Sequence, residues 1–244
     1  MKDNFSNRSG QYQKFRPGYP AKLIDFLVSV SKNNETAWDC GTGNGQVALE
    51  LAKHFDKVYA TDISKNQLAQ AVKQDNILYS VQPAEKISFP PAFFDLITVA
   101  QAIHWFDFGL FYKEVSRTIK PSGKIAVMGY GLFNCDEETD RVIKKFYHEI
   151  ICSYWDKERK YIDENYRTIP FPFKEIECPK FENVFEWTFE QLLGYLGTWS
   201  AVQHFIKANH RNPVEDIDDV LLAAWGKNET KTIRFPIFLR LGEL

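Results

Sequence analysis

A chain of 244 residues, 44% hydrophobic and 25% charged, is long enough for one α/β domain with a sizeable buried core. Its 30 basic and 32 acidic side chains leave a formal charge of −2, no excess for gripping a phosphate backbone, so nucleic acid is not an expected partner. The four cysteines form no CxxC pair, the polar stretch Met1 to Gly10 is no signal peptide, and the longest apolar runs are strand-sized. The expectation is therefore a cytoplasmic monomer with reduced thiols and neither a metal nor a membrane contact.

In chain order, residues 1–20 form an arm rich in Gln, Tyr and Arg. Ala21 to Ser31 has helical periodicity, with Leu23, Ile24, Leu27 and Val28 on one face. Thr36 to Asp39 is a short apolar strand that ends in a glycine cluster, and Gln46 to His54 returns to helical spacing. Strands follow at Val58 to Thr61, Ile77 to Val81, Asp95 to Ala100 and Lys124 to Met128. Helices at Gln67 to Val72 and Phe108 to Thr118 lie between them, and Pro121-Ser122-Gly123 marks a turn. Continuous apolar strands alternating with amphipathic helices imply a mostly parallel, doubly wound sheet covered on both faces. Such sheets bind ligands at the carboxyl ends of their strands, where the strand order reverses.

After Met128 the rhythm breaks. Glu137 to Trp155, Gln191 to Ala208 and Val214 to Trp225 read as helices; Val184 to Phe189 and Thr232 to Leu239 read as strands. Residues 132–228 are expected to form a largely helical cover inserted between late strands of one domain spanning 1–244, not a second domain, since their own core would be small and no flexible boundary separates them.

The chemistry concentrates in Asp39-Cys40-Gly41-Thr42-Gly43-Asn44-Gly45, between the first strand and the helix that follows it. Gly41 and Gly43 let the backbone turn sharply and approach a ligand. The spacing is GxGxG, not the GxGxxG of dinucleotide sites, and Asp39 places a carboxylate at the strand mouth. A pyrophosphate would meet like charge there, whereas a ligand bearing an ammonium and a sulfonium would be favoured. Asp62 ends the second strand at the distance from Gly41 where doubly wound folds receive a ribose diol; alone it would read equally as a helix cap.

Four segments together resemble the class I S-adenosylmethionine-dependent methyltransferases, in particular the trans-aconitate methyltransferase-like branch. They are Arg16 to Pro20, the Asp39 to Gly45 loop, Ala100-Gln101-Ala102-Ile103-His104-Trp105-Phe106, and Leu192 to Ser200. The resemblance implies a seven-stranded, mostly parallel sheet with S-adenosylmethionine as cofactor. It implies that Asp39, Gly41, Thr42 and Gly43 line the methionine and ribose end, and that Asp62 takes the ribose hydroxyls with Ile63 against the adenine. Ala84 and Glu85 would lie at the adenine edge; Pro83 stands where many relatives carry an aspartate. Gln101 would sit beside the methionine moiety, and Tyr12 and Arg16 would fold over the cofactor. His104 and Trp105 would face the methyl group, with Trp199 as a wall of the acceptor pocket.

Methyl transfer from a sulfonium is an in-line displacement that the protein promotes mainly by positioning. The expected acceptor is a small molecule, an acidic one in the first reading, with Arg16, Arg167 or Arg211 as its clamp. A hydroxyl or amine acceptor would instead need His104 or a tyrosine to remove a proton. A protein that binds S-adenosylmethionine without turnover, and an NAD-dependent oxidoreductase, are the competing readings. The loop spacing and Asp39 disfavour the second of them.

Overall fold

The structure, a computed structural model, describes residues 17–244. Helix α1 (Ala21–Val30) leads into β1 (Thr36–Cys40), α2 (Gln46–Leu51), β2 (Lys57–Asp62), α3 (Lys65–Ala69), β3 (Ile77–Val81) and β4 (Phe94–Ala100). A single 3-10 turn, Ile103–Trp105, precedes α4 (Phe108–Thr118) and β5 (Ile119–Tyr130). Next come α5 (Glu137–Lys145), a π-helical turn at Phe146–Ile150, α6 (Arg159–Asp163), β6 (Lys174–Ile176) and β7 (Phe181–Trp187). Helices α7 (Phe189–Gly197), α8 (Ser200–Asn209) and α9 (Asp218–Trp225) lead to the final strand β8 (Lys231–Glu243).

The strands form one sheet in the order β3-β2-β1-β4-β5-β8-β6, with β7 also paired to β8. Pairs among β1 to β5 are parallel, and every pair that involves β8 is antiparallel. The order reverses between β1 and β4, which opens a crevice at their carboxyl ends. The expected seven strands are eight: the extra piece is β6, three residues with no apolar run to announce it.

Alternation along the strands builds the core on both faces. Trp38, Tyr59, Ile97, Val99, Ile125 and Val127 pack on one face, together with Phe111 and Val115 of α4. Ala37, Val58, Ala60, Leu96, Ala126 and Met128 pack on the other, against Leu23, Ile24 and Leu27 of α1. A third cluster lies in the cover and is dominated by rings, among them Phe133, Phe146, Tyr147, Tyr195, Trp199 and Phe235.

Two expected boundaries moved for visible reasons. Pro121-Ser122-Gly123 does not precede β5; it lies within it, as an irregularity between the Phe94–Ile119 and Leu96–Lys124 pairings. A Cβ at Gly123 would stand 2.8 Å from the Phe94 carbonyl, so the bulge depends on glycine. The long helix expected over Glu137 to Trp155 stops at Lys145 and widens into the π turn, where the Ile151 N–H reaches the Phe146 carbonyl (3.1 Å). No helix among the described residues is long and apolar enough to cross a membrane.

Candidate active site

The three glycines of the loop after β1 are needed for three different reasons. All have positive φ, at 68°, 57° and 83° for Gly41, Gly43 and Gly45. A Cβ on Gly41 would collide with Ala102 at 2.6 Å, and one on Gly45 with the Tyr79 hydroxyl at 2.4 Å. A Cβ on Gly43 would meet nothing within 4 Å among the described residues. Gly43 is thus the point where the backbone opens to a ligand, while Gly41 and Gly45 serve the protein's own packing.

Asp39 corrects an expectation. Its carboxylate does not stand open at the strand mouth but is 1% exposed. Oδ2 accepts from Thr42 Oγ1 (2.5 Å) and the Ala48 N–H (3.1 Å), and Oδ1 accepts from Thr98 Oγ1 (2.8 Å). Burial raises its pKa to about 6, against the lowering by these bonds. Asp39 therefore shapes the loop from beneath. It also takes one of the unsatisfied amides at the start of α2, the seat that a pyrophosphate uses in dinucleotide sites.

Asp62 fastens the other side of the loop. Oδ2 accepts from the Gly43 N–H (2.9 Å) and Oδ1 from the Ser64 N–H (2.8 Å). Gly41 and Thr42 donate to the Thr61 carbonyl (2.8 and 3.0 Å), which docks the loop on the end of β2. Ile63 is half-buried beside it, Ala84 is buried, and Glu85 Oε1 accepts the Asp107 N–H (3.0 Å) at the start of α4.

Gln101 has the left-handed conformation (φ 53°) that a glutamine rarely takes, directly after β4. Its Nε2 donates to the Tyr130 carbonyl (2.7 Å), while Oε1 is buried with no donor among the described residues. A strained backbone that presents an orphaned acceptor is the mark of a binding position. Above it, Tyr130 Oη donates to the Pro17 carbonyl (3.3 Å) and Tyr19 Oη to the Met128 carbonyl (3.4 Å). The chain thereby enters the fold across the end of β5. Tyr12 and Arg16 lie outside the described residues.

His104 sits in the 3-10 turn after β4, 6% exposed, with Nδ1 hydrogen-bonded to Tyr166 Oη (2.8 Å). Burial, with a contribution from the nearby Arg159 charge, lowers its pKa to about 3. His104 is thus a neutral imidazole, not a poised base. Tyr166 is fully buried and itself left-handed (φ 59°), and its carbonyl is held by Arg240 (3.0 Å). A cavity of about 350 Å³ is bordered by His104, Trp105, Lys157, Glu158, Lys160 and Tyr161, within the size range of small-ligand sites.

Trp199 corrects a second expectation. It is 3% exposed and packed on Phe146 (6.1 Å), Tyr147 (5.6 Å), Trp155 (5.7 Å) and Tyr195 (5.9 Å), so it is the centre of the cover's core, not its inner wall. The rings in front of it, Tyr147 and Trp155, flank Arg159 (5.2 and 4.5 Å). Arg159 thus stacks on two of the rings that pack on Trp199, and its charge reaches His104. Of the arginines considered as a clamp, Arg211 is paired with Asp216 over Phe205. Arg167 is exposed in a groove along β8. Neither borders His104. Among the described residues no group of three or more His, Cys, Asp or Glu is arranged to hold a metal ion.

A family model described as a methyltransferase domain matches residues 38–127, the span from β1 to β5. A Dictyostelium discoideum protein bearing the name methyltransferase is 35% identical over 99% of this chain and 95% of its own. A solved structure from Anaeromyxobacter dehalogenans, described as a type II methyltransferase, superposes with a TM-score of 0.88 at 40% identity, covering 94% of this chain and 98% of that one. A Haemonchus contortus N-methyltransferase in complex with S-adenosylhomocysteine shares the fold alone: TM-score 0.50, 18% identity, 98% of this chain and 58% of that one.

Proposed function

Since this chain belongs to the class I S-adenosylmethionine-dependent methyltransferases, we propose that it methylates a small-molecule acceptor that arrives as an ionised carboxylate. Membership of the trans-aconitate methyltransferase-like branch is part of the same proposal. It rests on the arm, the Ala100-to-Phe106 segment and the Leu192-to-Ser200 segment.

The residues around the switch point fit the cofactor. The open side of Gly43 leaves room for it, buried Asp62 keeps carboxylate lone pairs beyond those used by the Gly43 and Ser64 amides for ribose hydroxyls, and half-buried Ile63 offers an apolar face for the adenine. The orphaned Oε1 of Gln101 suits the methionine ammonium. When bound, S-adenosylmethionine supplies a methyl group on a positively charged sulfur, an electrophile that needs no further activation. The protein then has to hold the acceptor in line and keep water out.

The observation that carries the acceptor class is the burial of His104 against the Tyr166 hydroxyl, which lowers its basicity. An imidazole with a pKa of about 3 has little drive to strip a proton from a hydroxyl. A carboxylate needs no base, and the charge of Arg159 nearby favours an anion over an ammonium. The test is incubation with labelled S-adenosylmethionine and three sets of acceptors: small carboxylic acids, alcohols and phenols, and primary amines. The expected result is one added methyl on acids only, released again by mild base as from an ester. Labelling confined to alcohols or amines would overturn the carboxylate reading.

A further inference from the structure

Arg159 is a cation held in an aromatic niche with most of its donors unused. Its side chain is 16% exposed and its guanidinium lies over Trp155 and Tyr147. Only Nε is engaged: it donates to Tyr147 Oη (2.6 Å) and to Asp163 Oδ1 (3.3 Å). The Tyr147 hydroxyl in turn donates to Asp163 (2.6 Å), so one carboxylate secures that edge of the guanidinium through two bonds. Among the described residues the two terminal amino groups donate to nothing. The indole N–H of Trp155 is also buried without an acceptor.

Burying donors without acceptors costs free energy that a folded protein normally avoids. Here the buried one is the Trp155 indole N–H, stacked under the Arg159 guanidinium, and both groups are held in place. The π turn carries Tyr147 inward, and Tyr154, next to Trp155, is fixed by His204 Nδ1 at its carbonyl (2.9 Å) and Asn209 Nδ2 at its hydroxyl (2.9 Å). A guanidinium fork kept open beside a neutral imidazole matches a planar anion.

We propose that Arg159, assisted by the Trp155 indole N–H, receives an anionic group of the methyl acceptor and so determines specificity. This rests on the acceptor reading above. Carboxylate and phosphate share the required chemistry, and the test separates them.

The enzyme saturated with S-adenosylhomocysteine is titrated calorimetrically with acetate, glutarate and inorganic phosphate. The wild type, Arg159→Gln, Arg159→Lys and Trp155→Phe are compared. At least one anion is expected to bind the wild type, tenfold or more weaker to Arg159→Gln and several-fold weaker to Trp155→Phe. Arg159→Lys falls between, because it keeps the charge and loses the fork. S-adenosylhomocysteine affinity stays within twofold in all four, which also reports that the variants fold. The assignment is overturned if no anion binds the wild type, if Arg159→Gln binds it equally well, or if cofactor affinity falls in parallel. Equal KM for acids in wild type and Arg159→Gln would leave the acceptor reading standing and remove this one. Arg159-dependent anion binding without transfer to any acid would do the reverse.

Discussion

At the residue scale the loop's electrostatics turn on Asp39. Its carboxylate is fully enclosed, and enclosure disfavours the charged form more than Thr42, Thr98 and the Ala48 amide favour it. The pKa rises from its ordinary 3.8 to about 6. Well below pH 3.8 folded and unfolded chains both hold the proton; between 3.8 and 6 the folded chain holds more of it. Stability therefore falls as pH rises through that window, and the ionised form carries a cost of about 3 kcal/mol at neutral pH. Asp39→Asn cannot ionise and lacks this slope. In urea unfolding from pH 3.5 to 7, the stability of Asp39→Asn relative to wild type is expected to climb by about that amount. A difference that stays flat with pH would show that the carboxylate ionises in the fold as easily as in water. Such a cost at the floor of a ligand crevice is the kind of local expense that function sustains. It also revises why diphosphates are disfavoured. Asp39 does not repel them across open solvent; it already occupies the amide they would use.

At the scale of elements, the loop between β1 and α2 separates binding from folding glycine by glycine. Gly43→Ala puts a methyl group into open space, with a backbone strain of about 1 kcal/mol for a left-handed alanine. Gly45→Ala drives a methyl group against the Tyr79 ring, whose hydroxyl holds the Val72 carbonyl (3.1 Å). Cofactor titration with thermal unfolding should find Gly43→Ala folded but at least tenfold weaker for S-adenosylhomocysteine. Gly45→Ala should lose roughly 2 kcal/mol of stability, from strain plus overpacking. The reverse pattern would mean that the ligand approaches elsewhere. This loop was legible in the sequence because its chemistry is local: strand, glycines and helix follow one another. β3 and α4 were legible to the residue, since the apolar run of β3 lies between Asp75-Asn76 and Gln82-Pro83 and Asp107 caps the periodic run of α4. The cover was not. Gln191 to Ala208 reads as one helix, yet Thr198 and Trp199 divide it into α7 and α8, as Trp199 turns its ring into the aromatic core. Arg159 went unseen because the short helix α6 did not stand out in the sequence: Trp155 and Asp163 lie four residues to either side of Arg159, and only Tyr147 comes from a more distant segment.

At the scale of the molecule, the chain is split by task. β1 to β5 supply the glycine loop, Asp62 and Gln101, while the stretch between β5 and β8 supplies Arg159 and its rings. The two are joined by the long last strand, which pairs with β5 on one side and with β6 and β7 on the other. They are joined again by the entering segment, which is tied to β5 through Tyr130 and to β7 by Asn183 at the Gly18 carbonyl. A ligand that binds only where β1, β2 and β4 end is lost on unfolding, so it stabilises the fold by mass action. S-adenosylhomocysteine at a hundred times its Kd should raise the unfolding free energy by about 2.7 kcal/mol. NAD at the same concentration should leave it unchanged, because a diphosphate finds a GxGxG bend too short for it and an α2 amide already held by Asp39. Denaturant midpoints in the presence of each compound measure this directly. Stabilisation by NAD with none by S-adenosylhomocysteine would remove the cofactor assignment, and with it every role given to Gly43, Asp62 and Gln101. Stabilisation by S-adenosylhomocysteine alone would tie the crevice at the strand-order reversal to the stability of the whole chain.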